Sequence, residues 1–354
     1  MRDRRHRPTL RWLLVGLTAG TLSAAAGLAQ DWLPPAGEAW LSFGYGNVFN
    51  TKHYFGVTGP GEIDAGHVRA QGFALQLGYG LTDRLSLSVG IPFVDNKYYC
   101  TSSTAPGACT PHPPLTPGST YADDGTYHGT FQDYRINADY QLLSGPFSLA
   151  PFAAAVIPSH SYVYFAHAAP GKDLHQYLVG FTTAATLDRM VPGTYFVGSY
   201  DYAFVEQVLG INLNRSDFTI ELGYFLSAVT PGLAIRFLGT GYYTHGGLAF
   251  QTPFDLFAMP NGNELFIHHD QIGKQRSVQL GGGFSYQLTG STTVYASYLR
   301  SVYGRDILKA DHGISFGATW SFSPAQLVRR FFGPKATAPT PNPSTPLAAS
   351  AQGQ

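Results

Sequence analysis

The sequence predicts an all-β chain, a transmembrane antiparallel up-and-down β-barrel of about 12 strands. Three observations carry this. The first is alternation: Leu85, Leu87, Val89, Ile91 and Phe93 interleave with Ser86, Ser88, Gly90 and Pro92, a period of two that marks a strand with one apolar face. The second is composition. Of 354 residues only 12% are charged, against roughly 25% in soluble domains, while 14% are aromatic. A chain so poor in charge has apolar surface to spare for lipid. The third is rhythm, since the strands are joined by short and long connections in strict alternation.

The elements follow in order. Arg2, Arg4, Arg5, Arg7 and Arg11 precede the apolar stretch Trp12 to Leu28, and Gly27-Leu28-Ala29 offers small residues for cleavage, so residues 1–29 read as a signal peptide. Residues 30–322 read as the barrel. Its strands are expected near 38–47, 67–80, 84–97, 128–142, 147–157, 175–188, 194–206, 216–227, 232–244, 274–287, 291–303 and 311–322. Leu81-Thr82-Asp83, Leu143-Ser144-Gly145-Pro146, Met190-Val191-Pro192-Gly193, Thr230-Pro231-Gly232 and Leu288-Thr289-Gly290 are the short turns. Residues 48–66, 98–127, 158–174, 207–215, 245–273 and 304–310 are the longer links. A barrel in an outer membrane has that asymmetry, with short periplasmic turns and longer outer loops. A soluble sandwich has no reason to keep it. With no water in the bilayer core, only a closed sheet leaves no backbone group unpaired. Residues 323–332 read as a short amphipathic helix or turn at the membrane edge, and the whole of 323–354 as a periplasmic Pro-rich tail, disordered past 332.

The polar faces of the strands are assigned to the lumen. The candidates are Arg69, Gln71, Asp133, Arg135, Asn137, Asp139, Asp201, Glu221, Arg236 and Gln279, with Arg300 on a strand that alternates poorly. Opposed charges in a narrow barrel either pair and fill it or line a path for solute; 12 strands lie between the two regimes. Cys100 and Cys109, the two cysteines of an exported chain, are expected to form a disulfide; with His112 they make a poor metal set.

Twelve histidines, the pair His268-His269 before Asp270 among them, read as scattered surface groups rather than ligands. Ser159-His160-Ser161 and Thr244-His245-Gly246 bring hydroxyls to imidazoles without an orienting third group, so no catalytic set is assigned. Gly281-Gly282-Gly283 lies inside a strand, where it serves bending rather than phosphate binding. With zero net charge, nothing points to a nucleic-acid surface. No cofactor is expected.

Leu33-Pro34-Pro35 with Gly37-Glu38, Gly80 to Leu87 through the first short turn, and the closing strand His312 to Phe322 with Trp320 resemble the outer-membrane barrels named for the meta-pathway of phenol degradation. That resemblance implies a bacterial outer-membrane channel for small hydrophobic or aromatic compounds, inserted by the outer-membrane assembly machinery. Tyr162, Tyr164 and Phe165, or Phe254, Leu256 and Phe257, would be the first landing site. The alternative is a closed barrel that is structural or binds a partner through its long loops; a membrane-embedded hydrolase ranks last.

Overall fold

The computed structural model describes residues 33–55, 61–63, 66–100, 111–115 and 122–332. The expected signal peptide, Cys109 and the residues after 332 lie outside the described residues.

The chain forms one closed antiparallel barrel. Its strands are β1 (Ala39–Phe55), β2 (Gly61–Ile63), β3 (His67–Gly80), β4 (Leu85–Tyr99), β5 (His128–Phe131), β6 (Tyr134–Tyr140) and β7 (Phe147–Ile157). They continue as β8 (Gln176–Thr186), β9 (Thr194–Val205), β10 (Arg215–Phe225), β11 (Leu233–Thr244), β12 (Arg276–Gln287), β13 (Thr292–Arg305) and β14 (Ile307–Phe322). Apart from β2, which pairs only with β1, each wall strand pairs with the next one in the chain, β1 with β3 and both β5 and β6 with β4. The ring closes where β1 pairs β14, from Ala39↔Phe322 to Tyr54↔Ile307. β2 only extends a hairpin on the rim of β1, so 12 strand positions span the wall.

Alternation sets the two surfaces. On β4, Ser86, Pro92, Val94, Asn96 and Tyr98 are buried inside, while Leu87 faces outward. Outward Leu75, Leu77, Val179, Ile220, Leu222 and Ile235 form an apolar belt. At the short-turn end the belt is edged by outward Tyr79, Tyr140, Phe147, Tyr224 and Trp320. Toward the loop end it is edged by Tyr177, Phe204 and Tyr298. Aromatic girdles of this kind sit at the two faces of a bilayer, where a ring is half wet and half dry. From Leu85 to Phe93 the belt runs about 27 Å along the strand, enough for a tilted strand to cross the hydrocarbon.

Three expectations change. The first strand continues to Phe55, because the longer strands rise past the bilayer on one side of the barrel. The 304–310 link is a tight corner at Asp306, with β14 starting at Ile307 and running along β1. The fourth strand is broken at Gln132 and Asp133, where Gln132 Nε2 donates to Pro170 O at 2.6 Å and Asp133 accepts from Tyr162. Both partners lie in the connection between β7 and β8, which folds back over the loop end of the barrel. Polar residues that would continue a ladder bond to that connection instead. Residues Pro324–Phe332 form a helix after β14, as expected for 323–332.

At the short-turn end, Gly37 N donates to Gly80 O (2.8 Å) and Ala36 N to Asp83 Oδ1 (3.2 Å). The Leu33-Pro34-Pro35 stretch is thereby tied to the first short turn, so two separated parts of the sequence motif touch.

Candidate functional site

A continuous cavity of about 300 Å³ runs inside the barrel. It touches Leu33, Pro34, Trp40 and Ser86 near the short-turn end and Tyr164, Ala166 and Lys172 at the loop end. Asp133, Arg135, Asn137, Asp139, Asp201 and Gln279 line it, joined by Arg215 and Asp217, which the sequence reading missed. Position shows why those two belong: Arg215, Asp217, Thr219 and Glu221 share one parity on β10, and the apolar Phe218, Ile220 and Leu222 hold the other.

Charges of both signs are interleaved along the wall. Arg215 Nε donates to both oxygens of Asp217, at 3.1 and 2.9 Å. Arg135 Nη2 reaches Asn137 Oδ1 at 3.4 Å, and Asn137 Nδ2 donates to Asp139 Oδ2 at 2.5 Å. The guanidinium of Arg135 also lies 5.6 Å from the Phe152 ring centroid. These groups stay polar toward the cavity while partnering along their own wall.

Glu221 and Arg236 do not line the cavity. They face inward and pair with each other, Arg236 Nε to Glu221 Oε1 at 2.8 Å and Nη2 to Oε2 at 2.7 Å, with Tyr195 OH donating to Oε1 at 2.8 Å. This layer fills one side of the barrel. Two inward glycines make room for the rings that cross it: a Cβ on Gly223 would sit 2.0 Å from Tyr195, and one on Gly78 would sit 2.1 Å from Trp40.

Arg69 and Gln71 are corrected. They share the parity of Phe73 and Leu75 on β3 and lie on the outer face, above the apolar belt. Gln71 Nε2 donates to Asp95 Oδ2 (3.1 Å) and its Oε1 accepts from Tyr45 OH (3.1 Å), while Arg69 stacks over Phe49 at 5.2 Å. The strand has left the membrane there, so a polar side chain outside meets water. Arg300 likewise points outward, on β13.

Toward the loop end the inner wall turns apolar. Ala154, Val156, Leu178, Ala203 and Val205 pack with Leu174, Leu213 and Ile272 from the connections. Val68 and Tyr98 pack with Ala168 across from them. Leu174 and Ala168 belong to the connection 158–175, and Ile272 to a helical connection made of Pro253–Ala258, Gly262–Ile267 and His269–Ile272. The two connections form a lid. Lys172 Nζ donates to Gln275 Oε1 at 2.7 Å and Gln271 Nε2 to Lys172 O at 2.5 Å. Of the expected landing residues, Tyr162, Phe165 and Leu256 are buried within the lid. Phe254 and Phe257 remain exposed and stack on Phe266 at 5.8 and 4.5 Å.

Four of the histidines, His53, His112, His167 and His269, are gathered rather than scattered. His112 and His167 stack at 4.2 Å, and His269 lies 5.4 Å from His112. Burial pushes the His112 imidazole down to about 3, so it is neutral near pH 7. Burial opposes charge on Asp270, yet His269, His112, His53 and His167 around it hold its carboxyl below the usual range. No sequence spacing announced this group, because its members come from separate connections. Ser159 Oγ meets His160 Nδ1 at 2.8 Å and Ser216 Oγ meets His245 Nε2 at 2.8 Å, both exposed. Cys100 is disulfide-bonded.

No family model and no curated protein sequence matches the chain. Among solved structures it is similar to an outer membrane channel from Pseudomonas putida F1, with a TM-score of 0.56 at 12% identity over 82% of this chain and 97% of that one. The fold is an outer-membrane barrel. Weaker likenesses are the NanC porin (TM-score 0.42, 11% identity, 79% of this chain and 98% of that one) and the KdgM porin in complex with disordered oligogalacturonate (0.40, 10%, 80% and 99%).

Proposed function

We propose that the chain is a passive outer-membrane channel for small hydrophobic or aromatic compounds, of the phenol-degradation type that its motifs resemble. The carrying observation is the cavity that touches residues at both ends of the barrel. Its upper wall of Val, Leu and Ala gives an apolar solute a surface to leave water for, at roughly 25 cal/mol per Å². Its lower wall of Arg135, Asn137, Asp139 and Asp201 is wet and holds such a solute weakly, so the solute moves on. Exposed Phe254 and Phe257 offer first contact outside the lid. A cavity of about 300 Å³ is at the small end for ligand sites, which favours single rings over oligomers. On this reading the chain resides in the bacterial outer membrane, is exported with its signal peptide removed, and has no enzymatic activity.

The test is planar-bilayer recording of the mature protein with phenol or toluene added. Steady conductance that these solutes reduce, and that Arg135→Ala alters, is expected. A folded barrel that neither conducts nor takes the solutes into liposomes would favour the closed, partner-binding alternative.

A further inference from the structure

We infer that the lid carries a divalent transition-metal site, built from His112, Asp123 and His167. Their ligand atoms all lie within 4.8 Å of one another. Two imidazoles and one carboxylate suit zinc and its neighbours in the first transition row; the oxygen-seeking calcium and magnesium are poorly matched. An independent observation points the same way. His112 Nδ1 is buried with no hydrogen-bond partner, and it lies 3.6 Å from Asp123 Oδ2, with nine-tenths of the His112 side chain hidden. A lone nitrogen of that kind costs free energy unless something binds it.

The surroundings are those of a built site. Asp123 is held by three backbone donors: His112 N at 2.9 Å and His167 N at 3.1 Å on Oδ2, and Ala168 N at 3.0 Å on Oδ1. The carboxylate therefore cannot swing away, and Oδ1, which takes only one of the three donors, keeps a lone pair for an ion. His269 packs beside the set and is not one of its ligands: its Nδ1 donates to Phe266 O at 2.7 Å and its Nε2 faces Asp270 Oδ1 at 3.4 Å. The ring of His167 is held by stacking on Tyr98, 4.4 Å away at 18°.

The ligands come from different connections. His112 and Asp123 belong to the link between β4 and β5, and His167 to the link between β7 and β8. A bound ion would tie the link between β4 and β5 to the 158–175 connection of the lid over the loop end of the cavity. The proposal does not depend on the channel reading, since an ion binds here whether or not the barrel conducts.

The experiment uses the full folded barrel in detergent, titrated calorimetrically with zinc chloride, alongside His112→Gln with His167→Gln. His175→Gln serves as the control, because His175 and Glu206 form an exposed pair 2.9 Å apart that could hold zinc adventitiously. Expected is one saturable site, kept in His175→Gln and weakened by about 100-fold or more in the double variant. Equal affinity in the double variant, loss in His175→Gln, or no saturable binding overturns the inference. Should the double variant not fold, X-ray absorption at the zinc edge of the His175→Gln protein reads the ligands directly. Two or more imidazoles at about 2.0 Å are expected, and fewer overturn it.

Discussion

Lys172 and Glu221 show how a barrel interior tunes single residues. Burial lowers the Lys172 ammonium from the ordinary lysine value of 10.5 to about 7, and a neutral amide oxygen is the partner at 2.7 Å. The unfolded lid holds that proton up to the ordinary value, whereas the folded lid gives it up near 7. Protons are therefore bound more by the unfolded state between these limits, and the lid gains stability as pH rises through the window. Hydrogen exchange of residues 161–175, corrected for its intrinsic pH dependence, should slow between pH 6.5 and 9.5 in the native protein. It should not do so in Lys172→Met. Glu221 is the opposite case. Its partner Arg236 has a fully buried side chain, and Glu221→Gln leaves that guanidinium without a counter-charge. A loss of about 3–5 kcal/mol is expected, read as the shift in urea midpoint for refolding into lipid. Glu221→Leu with Arg236→Met should recover most of it.

Strands are the next scale, and there parity outweighs polarity. Arg69 and Gln71 look like lumen residues because they are polar, yet their register with Phe73 and Leu75 puts them outside. The error arises because the outer face of β3 has two environments in series, lipid and then water. The same rule predicts a depth profile. Leu77→Arg, at the middle of the belt, should cost about 2–4 kcal/mol, and Asn47→Arg, above it, about 0–1. Folding titrations in liposomes measure both, and equal costs would place the belt wrongly. Packing across the lumen gives a second prediction at this scale. Gly223→Val would drive a side chain into the Tyr195 ring and should cost about 1–3 kcal/mol, seen as a lower melting temperature, while Gly290→Val in an open turn should not.

For the whole molecule, the alternation and the short–long rhythm determined a closed 12-strand wall, its belt and its short turns. These are local properties: a period of two and a turn of three or four residues are written in consecutive positions. Arg135, Asn137, Asp139, Asp201 and Gln279 were legible as lumen residues for the same reason, since each alternates with apolar neighbours on its own strand, and Asp133 kept the parity of Arg135 although it falls in the break. What the tertiary structure alone decided is how the lumen is divided. The Glu221–Arg236–Tyr195 layer fills one side, the connections 158–175 and 245–275 fold inward as an apolar lid, and His167 and His269 of that lid meet His53 and His112 from other segments. None of this has a period. It depends on which residues the closure of β1 on β14 brings opposite each other across the barrel, and that distance is spanned through space rather than along the chain.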